Sequence, residues 1–196
     1  MADWLERVMT LKARVKARPE TTIPEMQWLN EKDWLDAAKD NPLANDDDFR
    51  RAGSRLRGTA ENKFTQKASP ALQRYLKANN GKFPTDTGLL LPYFEPPLDP
   101  TTLQRWVVKP AKEVPRLQFG CDWVITQKSA VDTELDQRTA IGPQGSGFMS
   151  NGFDPAPERL QAVMAAFVAA RPGQTPTNIT KLLPYATTAE QKTALQ

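Results

Sequence analysis

Along the first eighty residues the apolar positions recur at intervals of three and four, the spacing that gathers them on one side of an α-helix. Trp4, Val8, Leu11 and Val15 form the first stripe, which Pro19 ends. Two heptads are too few to stand alone, so this helix packs on the rest of the chain or continues one from upstream. Thr22-Ile23-Pro24-Glu25 has capping-box spacing with a proline in the first turn, and Met26, Leu29, Trp34, Leu35 and Ala38 follow as apolar anchors. Asn30-Glu31-Lys32-Asp33 fits a second cap, and its acids read as helix-starting residues. Asn45-Asp46-Asp47-Asp48 then opens a stripe through Phe49, Ala52, Leu56, Ala60 and Phe64, with three carboxylates at the positive end of the helix dipole. Ser69-Pro70 reads as the cap of a further short helix carrying Leu72, Tyr75 and Leu76, stopped by Asn79-Asn80-Gly81.

From Arg105 the texture changes. Trp106-Val107-Val108, Leu117-Gln118-Phe119, Trp123-Val124-Ile125 and Thr139-Ala140-Ile141 are short β-prone runs separated by proline, glycine and charge. Segments this short need one another, which predicts a small antiparallel sheet with hairpin or meander connections. Gly142-Pro143-Gln144-Gly145-Ser146-Gly147 lacks the lysine and following helix of a phosphate cradle and reads as a hairpin or loop.

The chain also repeats itself at an offset of 92 residues. Ala78, Gly81, Pro84, Thr85, Leu90, Leu91, Pro92, Tyr93, Thr101, Leu103 and Gln104 recur as Ala170, Gly173, Pro176, Thr177, Leu182, Leu183, Pro184, Tyr185, Thr193, Leu195 and Gln196. These are eleven identities in 34 ungapped positions, where ordinary residue frequencies give about two or three. The unit is a short amphipathic helix ended by a glycine and a Pro-Thr turn. Asp86 or Asn178 then starts a second short helix that presents Leu-Leu before Pro-Tyr. One reading is a packing module in which the leucines and the tyrosine ring close on the first helix. The functional reading makes Tyr93 and Tyr185, with Pro92 and Pro184, the lining of two equivalent partner-binding grooves.

Composition removes more chemistry than it suggests. The chain has no histidine, which excludes Ser-His-Asp and Cys-His nucleophile pairs, histidine-based zinc helices and imidazole acid-base catalysis. Its single cysteine, Cys121, forms no internal disulfide and reads as a small filler residue beside Trp123-Val124-Ile125. Ser146 lacks a Gly-x-Ser-x-Gly context. A glycosidase-like carboxylate pair is a matter of three-dimensional separation that a sequence does not give. The longest apolar run, Ala162 to Ala170, falls far short of the roughly 20 residues that span a bilayer. The chain opens inside a helical pattern at Ala2-Asp3-Trp4-Leu5, which leads to the expectation of a fragment whose anchor lies upstream.

Charge is segmented. Residues 1–18 sum to +3, 19–48 to −7, 49–82 to +8 and the remainder to −1. Adjacent blocks of opposite sign are expected to pair with each other. The alternative is that Arg50, Arg51, Arg55 and Arg57, with Lys63 and Lys67 beyond them, form a basic helix face for nucleic acid.

The order of Asn80-Gly81-Lys82-Phe83-Pro84-Thr85, Pro97-Leu98-Asp99-Pro100, Trp106-Val107-Val108 and Ile141-Gly142-Pro143-Gln144-Gly145 resembles the globular domain of type II secretion pseudopilins and related pilin-like proteins, over about residues 71–147. The hydrophobic N-terminal helix of that family has no counterpart here, nor does that family have the second repeat copy. The resemblance implies a helix running into a small antiparallel sheet, and a place in a bacterial envelope assembly. It also raises calcium binding in an acidic loop, for which Asp132, Glu134 and Asp136 are the available carboxylates, although they precede the glycine turn.

The expectation is therefore an α+β protein with N-terminal helices over 1–68, a pilin-like helix plus small sheet over 69–150, and a second copy of the helix-turn-LLPY unit over 151–196. It is expected to be a non-enzymatic structural or protein-interaction module of a bacterial cell envelope or periplasm, with no cofactor and no metal, binding a protein partner or assembling with itself. The alternatives are a cytoplasmic nucleic-acid-binding protein using the basic helix 50–67 and a carboxylate-dependent hydrolase.

Overall fold

A computed structural model of the chain describes every residue except 1, 115, 116, 118, 150–152, 154, 155, 177, 189, 190, 193, 194 and 196, together with the side chains of 2, 3, 156–159 and 161. Gln118 of the second expected strand, and Thr177, Thr193 and Gln196 of the repeat, lie outside the described residues. The chain forms two compact units, Met1–Phe153 and Asp154–Gln196.

The first unit is α+β. Helix α1 (Ala2–Ala17), helix α2 (Glu31–Lys39) and the first half of helix α3 (Asp46–Ala78) enclose a core of Val8, Leu11, Ala37, Ala38, Ala52 and Leu56. Trp4, at the start of the first stripe, stays outside this core with Lys39 over its ring. Two of the expected caps form, at Asn30 and Asn45. Asn30 accepts from the N–H of Asp33 at 3.1 Å while the Asp33 carboxylate accepts from the N–H of Asn30 at 2.7 Å, a reciprocal capping box. Asn45 accepts from the N–H of Asp48 at 2.9 Å.

Three expectations need correction here. Pro70 does not begin a helix; it lies inside α3, which runs unbroken for 33 residues. The proline is on the solvent side, while Phe64, Ala68, Ala71 and Leu72 carry the buried stripe past it, so the core tolerates the lost N–H. The boundary expected at residue 68 thus falls within one helix. Glu25 caps nothing: it is fully buried in the 3-10 turn Pro24–Trp28, accepting from Trp106 Nε1 at 2.6 Å and Arg105 Nη1 at 2.9 Å. Leu117 and Phe119 belong to no strand and instead cover the sheet.

The sheet is an antiparallel meander in the order β1 (Trp106–Pro110), β2 (Trp123–Gln127), β3 (Arg138–Gly142) and β4 (Gly145–Met149). One face packs on the second half of α3 through Phe64, Ala68, Leu72, Trp106, Ile125 and Ile141, with Phe64 stacked on Trp106 at 4.3 Å. The other face carries Val124 and Ala140 under Val114, Leu117 and Phe119. Cβ atoms on Gly142 and Gly147 would come within 3.1 and 3.0 Å of the Phe119 ring, so these glycines admit an aromatic lid. Cys121 sits in this layer, its thiol pushed up by burial, as suits a filler and not a nucleophile.

Between α3 and the sheet lies a buried polar cluster that no local pattern announces. Arg105 bridges Glu25 and Glu61, at 2.9 and 3.0 Å, and the Thr139 hydroxyl donates to Glu61 at 3.4 Å. One guanidinium faces two carboxylates. Burial pushes the Glu61 carboxyl up to about 7; attraction to Arg105 partly offsets this, and repulsion from Glu25 adds to it.

Candidate partner-binding site

The two LLPY stretches adopt the same local elements, each within its own unit. In the first, α3 is capped at Asn79 and the chain turns through Asn80 (φ 53°) and Gly81 (φ 75°), with the Gly81 N–H donating to the Leu76 carbonyl at 2.8 Å. Asp86 accepts from the N–H of Gly88 at 2.7 Å and opens a seven-residue 3-10 helix, Thr87–Tyr93. In the second, helix α5 (Ala156–Ala170) is followed by Gly173 at φ 78°. Asn178 accepts from the N–H of Lys181 at 3.2 Å and opens a seven-residue 3-10 helix, Ile179–Tyr185. Offset by 92 positions, the glycine, the cap and the short helix coincide.

The tyrosines are fastened the same way in both. Tyr93 meets Tyr75 edge-on at 5.4 Å and 77°, and Tyr185 meets Phe167 at 5.3 Å and 76°. Each hydroxyl is also held: Asn79 Nδ2 donates to Tyr93 at 3.4 Å and Arg171 Nε donates to Tyr185 at 3.0 Å, from equivalent positions of the repeat. Tyr93 and Tyr185 are half-buried pins that lock each 3-10 helix to the helix before it. Leu90 and Leu182 point inward and are buried.

What each unit turns outward is different. Pro92 and Pro184 are exposed. Beside them Leu89 is 44% exposed in the first copy, and Ile179 and Leu183 are 50% and 40% exposed in the second. The exposed edge of each capped helix thus carries leucine or isoleucine and proline, with Tyr93 and Tyr185 half-buried behind it. Leu89 and Ile179 were not singled out by sequence. The clue available was that a seven-residue helix cannot bury every apolar side chain of Leu-Leu-Leu-Pro-Tyr.

The basic stretch is engaged with acids. Arg50 donates to Asp132 at 2.8 and 3.1 Å and to Glu134 at 2.6 Å. Arg51 reaches Asp48 at 2.8 Å and Arg55 reaches Asp40. Arg57 is buried, donating to Asp136 at 2.6 Å and to the Thr21 carbonyl at 3.1 Å. The acidic block 19–48 supplies Asp40 and Asp48, but Asp132, Glu134 and Asp136 arrive from about eighty residues on, a pairing invisible to charge segmentation.

The same contacts occupy the carboxylates considered for calcium. Asp136 also accepts from the N–H groups of Val131 and Asp132, and Asp132 from those of Glu134 and Leu135. Burial pushes the Asp132 carboxyl up, but the bonds from Arg50 and the backbone outweigh it and hold it below the ordinary range. Among the described residues no three His, Cys, Asp or Glu side chains gather around a metal-sized space, and no helix is long and apolar enough to cross a membrane. In comparison with known proteins, the chain matches no family model, no curated protein and no solved structure.

Proposed function

We propose that the chain is a non-enzymatic structural or protein-interaction module of a bacterial envelope or secretion-like assembly, built on a pilin-like plan. The observation that carries this reading is the pair of 3-10 helices Thr87–Tyr93 and Ile179–Tyr185, each capped, pinned by a tyrosine, and turning leucine or isoleucine and proline to solvent. Rigid display of a few apolar side chains lowers the ordering cost of binding, which is what a docking module needs. A long helix laid against an antiparallel meander, in the motif order by which the sequence resembles pseudopilins, supports the pilin-like plan. The absence of histidine supports a role without acid-base catalysis at neutral pH.

The test is fractionation of the source organism after protein-protein crosslinking. The chain is expected in the envelope fraction, joined to protein. Recovery in a cytosolic, nuclease-sensitive fraction overturns the proposal in favour of nucleic acid.

A further inference from the structure

The two edges of the sheet are not alike. β1 carries Lys109 and Pro110, a charge and a missing N–H of the kind that keep an edge from pairing, and it abuts the 3-10 helix Thr87–Tyr93. β4 reads Gly-Ser-Gly-Phe-Met, with neither charge nor proline, and among the described residues it pairs with β3 alone. Gly142 and Gly145 flank a two-residue turn, so they are the pair that exchanges both ladder hydrogen bonds. Alternation along an antiparallel ladder then directs the N–H and C=O of Ser146 and Phe148 away from β3.

The side chains of the same two residues stand on the α3 side of the sheet. Ser146 is opposite Ile141, which packs in the core with α3, and Phe148 is opposite Thr139, whose hydroxyl reaches Glu61. By the Phe148 end of this edge is a groove of about 560 Å³ between α3 and the residues Leu135, Gln137 and Phe148, with Arg51 and Arg55 as its two cations and no carboxylate in its wall. A Cβ on Gly58 would meet nothing within 4 Å, so the helix surface there is open. Arg51 and Arg55 are about half exposed, and the single N–H that each gives to Asp48 or Asp40 leaves the rest of its fork for another acceptor.

We propose that β4 accepts an extended acidic segment of a partner protein as a fifth strand. Its backbone bonds Ser146 and Phe148, and alternate carboxylates reach Arg51 and Arg55. This site is separate from the leucine-proline edges and does not depend on them.

The test uses the full chain and a fluorescein-labelled peptide of alternating glutamate and valine, with a lysine-valine peptide as control. The glutamate peptide should bind by anisotropy and the lysine peptide should not, and hydrogen exchange should slow at the amides of Ser146 and Phe148. Ser146→Pro removes an outward N–H while leaving the β3 ladder, and should weaken binding about tenfold. The double variant Arg51→Gln, Arg55→Gln should weaken it about tenfold and flatten its salt dependence. If Ser146→Pro does not fold, the arginine variant decides. Equal binding of both peptides, protection away from β4, unchanged affinity in the arginine variant, or no binding overturns the proposal. None of these outcomes bears on where the protein fractionates, so the two readings fail separately.

Discussion

Replacing Glu61 with glutamine is expected to reshape the pH dependence of stability and not merely to lower it. Glu61 shares one guanidinium with the fully buried Glu25, and burial is the largest influence on it. Its folded carboxyl holds a proton up to about pH 7, against an ordinary value of 4.5. The folded state therefore binds the proton more tightly than the unfolded one. The contribution of Glu61 to stability is fully present below about 4.5, is lost as pH rises toward 7, and stays absent above it. A rise from 4.5 to about 7, at about 1.4 kcal/mol per unit, amounts to roughly 3 kcal/mol across that window. Glutamine is neutral throughout, and its amide retains an acceptor for Arg105 and a donor for Thr139. Urea midpoints of the full chain and the variant, followed by tryptophan fluorescence at pH 5, 6, 7 and 8, isolate the effect. Asp33, Asp48, Asp99 and Asp132 are all held below their ordinary range and titrate on the acid side of this window. The variant should match the wild type near pH 5 and exceed it by up to roughly 3 kcal/mol at pH 8. Parallel profiles, with the variant less stable at every pH, would show that Glu61 is ionised in the folded protein and refute the assignment.

Gly81→Ala and Gly173→Ala place a Cβ at φ 75° and 78°; each should cost about 1–2 kcal/mol in thermal unfolding, and no cost at either would remove the glycine turn from the account. Arg57→Gln leaves Asp136 buried without its guanidinium and should destabilise by about 3–5 kcal/mol, whereas Arg51→Gln, at an exposed pair, should change the denaturation midpoint by under about 1 kcal/mol. Millimolar calcium should leave the melting temperature unchanged, because arginine already occupies Asp132, Glu134 and Asp136; a rise on titration would contradict this. Duplex DNA at about 50 mM salt should bind no more tightly than to a charge-matched control protein, in a gel-shift assay, since Arg50 and Arg57 are committed to carboxylates.

The parts of the fold legible in sequence are those set by neighbours in the chain. Asn30 with Asp33, Asn45 with Asp48, and the glycine turns at 81 and 173 all act within a few residues, so spacing alone predicts them. Pro70 misled because proline signals a helix start only where the missing N–H matters, and on the solvent face of α3 it does not. β4 was half hidden: the stretch 142–147 reads as a hairpin or a loop, and Gly-Ser-Gly has the composition of a loop, while the structure makes it the β3–β4 hairpin. Gly147 is there for Phe119, which lies some thirty residues earlier, and Gly145 for its φ of 153°. The roles of Glu25 and Arg57 depend on Arg105, Trp106 and Asp136, partners 79 to 81 residues distant that no local pattern encodes. The outward edge of the LLPY unit was half legible. The repeat located it, but only the ring geometry separates the pinning tyrosines from the displayed leucine, isoleucine and proline.

The most direct test of the interaction reading is photo-crosslinking from those displayed positions in the source organism. A benzophenone amino acid in place of Leu89 or Leu183 should each give a discrete crosslinked product containing a second protein molecule, and the same group at Leu35, an exposed leucine on α2, should not. Equal, diffuse crosslinking from all three positions would contradict the account.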